Sequence, residues 1–165
     1  MQKQKRKVKA KWLWALCVAA VVVVVISLVG VLSGWFGEQK IKLDAGFYHT
    51  NKGFMDLDAD GYKLLTEEQS SFVVFVDQLG CTTADRLRDY MEKYMEQNEI
   101  AVYKIMFEKM KDTALHDYVK YYPSVAIIEK GKVKTYLRAD SDDDASVYNN
   151  YEDFERWMSE RINKE

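Results

Sequence analysis

Phe72-Val73-Val74-Phe75-Val76-Asp77-Gln78-Leu79-Gly80-Cys81-Thr82-Thr83-Ala84 is the stretch on which the rest of the chain turns. Phe72–Asp77 is a short apolar run rich in β-branched and aromatic residues, which predicts a buried strand. After it, Thr82–Gln97 carries Leu87, Met91, Tyr94 and Met95 at helical spacing, with Arg86, Arg88, Glu92, Lys93 and Glu96 left for a wet face. Cys81 therefore lies between a strand and a helix N-terminus, where backbone N–H groups and the helix dipole favour negative charge on sulfur. A C-x-x-C pair would put a second thiol at position 84. That position is Ala84.

The pattern continues downstream. Ile100–Phe107 predicts a second strand, its edges marked by Asn98 and Glu108. Asp112 or Thr113 caps a short helix ending at Val119, with Leu115, Tyr118 and Val119 on a shared face. Val125–Ile128, the Lys130-Gly131 turn and Val133–Leu137 predict an antiparallel hairpin. Arg138–Asn150 is a polar loop, and Tyr151–Ile162 a closing helix with Phe154, Trp157, Met158 and Ile162 on one stripe. The order is βαβαββα: a parallel crossover, then a hairpin, with helices on both faces of an α/β layer architecture. Pro123, the single proline, stands at the start of the third strand.

Over about residues 71–163 this chain resembles the thioredoxin superfamily. The resemblance is carried by the strand Phe72–Asp77, by Gly80-Cys81-Thr82-Thr83-Ala84 at a helix start, and by Tyr121-Tyr122-Pro123-Ser124-Val125. It implies a thioredoxin-like fold with Cys81 as the attacking thiol and Pro123 as a cis-proline beside it. It also implies a substrate groove around Gly80, Thr82 and Tyr122, where an extended peptide is received. Three positions depart from the family. Ala84 replaces the resolving cysteine, leaving a degenerate C-x-x-A site. Phe75 stands where thioredoxins bury a carboxylate, with Asp77 two residues on, near the strand's exposed end. Gly80 replaces the aromatic before the cysteine. Within the superfamily the chain is similar to membrane-anchored, outward-facing proteins of Gram-positive bacteria, among them the bacteriocin transport accessory proteins.

The first third explains the narrower likeness. Residues 1–11 hold six cations and no acid, and Trp12–Phe36 carries no charge. That uncharged stretch exceeds the roughly 20 residues a helix needs to span a bilayer. It is also longer than the ~7–15-residue apolar core of a signal peptide, and Leu32-Ser33-Gly34 is a weak cleavage site. Trp12, Trp14, Trp35 and Phe36 suit the two interfaces, and the basic flank keeps the N-terminus cytoplasmic. The expected organisation is a cytoplasmic segment 1–11, a transmembrane helix 12–36, a stalk and N-terminal extension 37–70, and an extracytoplasmic thioredoxin-like domain 71–165. Cys17 falls within the span, so Cys81 has no partner for a disulfide. Six of the 24 basic residues precede the span, which leaves 18 against 26 acidic ones, a net of −8. Such an outer domain avoids nucleic acid.

Two further patterns enter as expectations. Asp56-Leu57-Asp58-Ala59-Asp60-Gly61, with Glu67 at the twelfth position, matches the spacing of a calcium loop. An acidic turn leading into a helix start accounts for the same residues, and no other cofactor is implied. Tyr118, Tyr121, Tyr122, Tyr136, Tyr148 and Tyr151 cluster around or after the proline, either as a recognition rim or half-buried between helix and sheet. The function expected is a redox or thiol–disulfide accessory role through Cys81, at most a monothiol oxidoreductase. The alternative is a non-catalytic binding subunit for an exported or membrane protein or peptide, with Cys81 a buried relic.

Overall fold

The computed structural model describes residues 39–49 and 53–163. The basic segment 1–11, the expected span 12–36 and Cys17 lie outside the described residues. Among the described residues, no helix is long and apolar enough to cross a membrane.

The compact unit starts at Lys40, not at residue 71. Five strands form one sheet in the order β1-β3-β2-β4-β5: β1 Phe54–Asp56, β2 Phe72–Asp77, β3 Val102–Met106, β4 Ser124–Glu129 and β5 Lys132–Tyr136. β1 and β2 both run parallel to β3, whereas β4 runs antiparallel to both β2 and β5. All six residues of β2 are buried, as expected for a central strand covered on both faces.

Two α-helices flank the sheet early in the chain, α1 Ala59–Glu67 and α2 Thr82–Asn98. A short α3, Phe107–Met110, follows β3, and α4 Tyr151–Arg161 closes the chain. Phe72 on β2 packs edge-on against Tyr62 of α1. Asp77, five residues on and hence on the opposite face of the strand, meets Arg88 of α2. α1 and α2 thus cover opposite faces. α4 shares the α2 face, where Phe154 contacts Tyr90 and Tyr94.

The described residues of the expected stalk and N-terminal extension contribute to this core. Ile41, Leu43, Phe47, Tyr48, Leu57 and Tyr62 are all buried, and each such side chain contributes about 1.5–3 kcal/mol when removed from water. Ile41 also bridges to Ile162, through Ile41 N–H to Arg161 O at 2.7 Å and Asn163 N–H to Ile41 O at 2.9 Å. β1 is only three residues long, too short to show a period, so it was invisible beside the acidic turn that follows it.

Two local differences have simple causes. β3 stops at Met106, where its pairing with β2 ends at Asp77, and Phe107 opens α3 instead of closing the strand. The helix expected up to Val119 shrinks to a 3-10 turn, Ala114–Asp117, with the Thr113 hydroxyl accepting from Leu115 N–H at 3.2 Å. In the β4–β5 turn Lys130 and Gly131 both have positive φ. A Cβ on Gly131 would sit 2.2 Å from Thr66 O, so the turn packs backbone to backbone against the end of α1.

Candidate functional site

β2 ends at Asp77, and Gln78-Leu79-Gly80 carries the chain over the end of the sheet to Cys81. Gly80 takes φ +74° and is exposed, a backbone conformation that glycine adopts without penalty. Cys81 is the N-cap of α2, in extended conformation, half-buried and free. Its side chain makes no capping hydrogen bond. Thr82 begins the helix and is exposed; Ala84 is fully buried. Cys81 as a residue is neither fully buried nor fully open.

Val76 pairs with Ser124 across the antiparallel β2–β4 ladder. The next position along β4 is Pro123, so the proline stands opposite Asp77 at the end from which the Cys81 loop leaves. The Tyr122–Pro123 peptide bond is cis. Pro123 is buried, and Tyr122 is half-buried with its ring stacked on Phe107 at 4.9 Å between centroids. In the segments that lead into Cys81 and Pro123 three large side chains are open to solvent: Leu79 at 77% exposure, Tyr121 at 58% and Tyr118 at 48%. Tyr118 and Tyr121 therefore favour the rim reading, whereas Tyr148 is buried.

Tyr148 holds the proline from behind. Its hydroxyl donates toward Pro123 O at 3.0 Å and Leu137 O at 3.3 Å. Burial drives the phenol pKa upward, so the group remains a donor across the physiological range. Arg86 of α2 donates to Asn149 Oδ1 at 2.7 Å and reaches Tyr148 O at 3.5 Å. The 138–150 loop thus joins the first turns of α2 to the cis-proline. No local signal in the sequence marked Tyr148 for this, because its partners lie 25 and 11 residues away.

Asp77 corrects a second expectation. It is 1% exposed, not open at the strand end. Its carboxylate accepts two bonds from Arg88, Nη2 to Oδ1 at 2.7 Å and Nε to Oδ2 at 3.0 Å, and one from Gln78 N–H at 2.8 Å. Arg88 also donates from Nη1 to Asp85 Oδ1 at 2.9 Å. The Asp77 hydrogen bonds push the Arg88 pKa still higher, so the guanidinium is always charged. Asp77 shares its strand face with Phe75, whose ring stacks on Phe54 at 5.4 Å. Position 75 is thus apolar, and the buried carboxylate of Asp77 on the same strand face is tied to a cation.

The acidic stretch 56–67 does not form a calcium loop. Asp56 closes β1 with its side chain 92% exposed, 3.6 Å from Lys104 Nζ. Asp58 is the N-cap of α1, and its Oδ1 accepts from Gly61 N–H at 2.8 Å. Asp60 lies in the first turn of α1 and Glu67 at its last residue, 3.9 Å from Lys63. A helix stretches residues 59–67 along its axis, whereas a calcium loop must curl them around one point. Among the described residues, no group of three or more His, Cys, Asp or Glu is gathered to hold a metal ion.

A cysteine opening α2 and a cis-proline opening β4 meet at one end of a sheet built from a parallel β2–α2–β3 crossover and an antiparallel β4–β5 hairpin. The fold is thioredoxin-like. No family model and no curated protein matches the chain. Among solved structures, the oxidised thioredoxin from Plasmodium falciparum is 11% identical at a TM-score of 0.43, over 62% of this chain and 96% of that one. Oxidised thioredoxin O1 from Arabidopsis thaliana is 10% identical at 0.46, over 58% and 93%.

Proposed function

We propose that this chain is a membrane-anchored, outward-facing thioredoxin-fold protein that acts on protein or peptide thiols and disulfides through the single thiol Cys81. The observation that carries the reading is the position of Cys81: half-exposed, uncapped, at the N-terminus of α2 and on the same sheet end as the cis-proline. The anchor and its orientation rest on the sequence alone, on the basic segment 1–11 before the uncharged stretch 12–36.

The chemistry open to a lone thiol is exchange. The Cys81 thiolate attacks one sulfur of a substrate disulfide, a new S–S bond forms, and the other sulfur leaves as a thiolate that takes a proton from water. Ala84 offers no second thiol, so a small external thiol, such as one of the glutathione class, must attack the mixed disulfide and return Cys81 to its reduced form. Net oxidation and reduction then pass between substrate and external thiol.

Alkylation of Cys81 in the full-length folded chain, followed against pH by mass spectrometry of its peptide, tests the reading together with trapping of a mixed disulfide. Reaction in the folded state and a trapped adduct lost in Cys81→Ser are expected. A thiol that alkylates only in denaturant would refute it. The second reading, a binding subunit without turnover, is favoured by the exposed Leu79, Tyr118 and Tyr121 in the segments before Cys81 and Pro123 and by the buried Ala84. It predicts that Cys81→Ser retains both partner binding and function.

A further inference from the structure

Among the described residues, the Asp77–Arg88–Asp85 cluster, built on the buried Asp77 with Asp85 exposed, is an ionic group at this end of the sheet that the exchange reaction leaves unused. Its placement relative to Cys81 is symmetrical in the chain: Asp77 lies four residues before the thiol and Asp85 four residues after it. Arg88 binds both, with two hydrogen bonds to Asp77 and one to Asp85. Asp77 belongs to the last residue of β2, and Asp85 to the first turn of α2. One guanidinium therefore clasps the two ends of the loop that carries Cys81. The Asp77 carboxylate also accepts from Gln78 N–H, so the clasp extends into the loop backbone itself.

We propose that Arg88 is a positioning residue for Cys81, which holds its loop and neutralises the carboxylates at the loop's two ends, Asp77 and Asp85. This rests on the thiol reading above and adds to it the residue that sets when the thiolate forms. Without Arg88 a carboxylate that is 1% exposed would stand unpaired at the end of the loop that carries a second developing anion. Like charges raise each other's proton affinity, and more so out of water. The other groups around Asp77 do not take over that role. Its neighbour on β3 is Met106, and the position facing it before β4 is Pro123. Tyr122 is stacked on Phe107, and Tyr148 is a buried neutral donor. Arg86 is engaged with the Tyr148 carbonyl and the Asn149 side chain. Glu108 and Lys109 of α3 and Lys120 before the proline are exposed.

The test is the pH profile of Cys81 alkylation in the full-length chain, in wild type and in Asp77→Asn, Arg88→Met and the double variant. Asp77→Asn leaves the guanidinium with one carboxylate fewer, and alkylation at neutral pH becomes faster. Arg88→Met does the opposite: the profile moves up by about one pH unit, which is a roughly tenfold slower reaction below the midpoint. The double variant, with neither buried charge, returns to within about threefold of wild type, the residual coming from exposed Asp85 in high dielectric. A purely structural role for the clasp predicts the same sign for all three variants, since each loosens the same loop. If Arg88→Met does not fold, Asp77→Asn and the double variant carry the test. Unchanged or slower alkylation in Asp77→Asn, with wild type reactive, overturns the role of Arg88 and leaves the thiol reading intact. A wild-type thiol that reacts only in denaturant overturns both.

Discussion

α1 and α2 each follow a strand of the same sheet after a short link, and their first turns are closed in different ways. At α1 the N-cap is Asp58, whose carboxylate takes Gly61 N–H at 2.8 Å. At α4, likewise, Asn150 takes Glu152 N–H at 2.8 Å. At α2 the N-cap is Cys81, and its side chain takes none. Ser, Thr, Asp and Asn are preferred at N-caps because they satisfy donors that the helix cannot, with a typical worth of ~1 kcal/mol. The two capped starts are finished locally. The start of α2 gives up that stabilisation, and its first turn is held from outside, by Arg88 reaching back to Asp77 and by Arg86 reaching the 148–149 segment. Stabilisation has been displaced from the helix end to its flanks, and the sulfur makes no capping bond.

Four changes would break or sharpen that comparison. The largest effect is expected from Arg88→Met, which strands a buried carboxylate. Breaking such a pair from one side costs about 3 kcal/mol or more, seen as a lower urea midpoint, and Asp77→Asn/Arg88→Met recovers most of the loss. No loss in the single variant would mean that the clasp does not support α2. Next comes Asp58→Ala, which should cost about 1 kcal/mol and lower Tm by roughly 4 °C in a domain of this size. Cys81→Ser has the opposite sign and a smaller size. A serine hydroxyl completes the cap, so Tm rises by an amount equivalent to about 0.5 kcal/mol while thiol chemistry disappears. A fall in Tm would show that the sulfur packs rather than waits. The smallest effect is expected from Ca²⁺: millimolar addition leaves Tm unchanged, because a ligand raises it only if it binds the folded state. A rise abolished in Asp56→Ala would restore the calcium loop.

The elements with a clear period were legible in advance. β2 and the 17-residue α2 were found nearly to their ends, because a buried central strand and an amphipathic helix both write their environment into the residue pattern. The hairpin was legible from Lys130-Gly131. The N-terminal extension was not: three residues of β1 carry no period, and the loop before it packs through scattered apolar residues. Asp77 was misplaced for a related reason. A charged residue ending a strand ordinarily reaches solvent, and only a cation eleven residues later, brought back by the helix, makes its burial tolerable.

The sequence by itself determined where the thiol stands in the chain, that it has no resolving partner at Ala84, and which elements surround it, because those follow from local spacing. Tertiary structure alone decided that Arg88 pairs Asp77 with Asp85, that Tyr148 braces the proline, and that the acidic 56–67 stretch is a strand end and a capped helix. Those outcomes depend on contacts between residues far apart in the chain. Electrostatic and hydrogen-bond satisfaction is settled only when the buried partners meet.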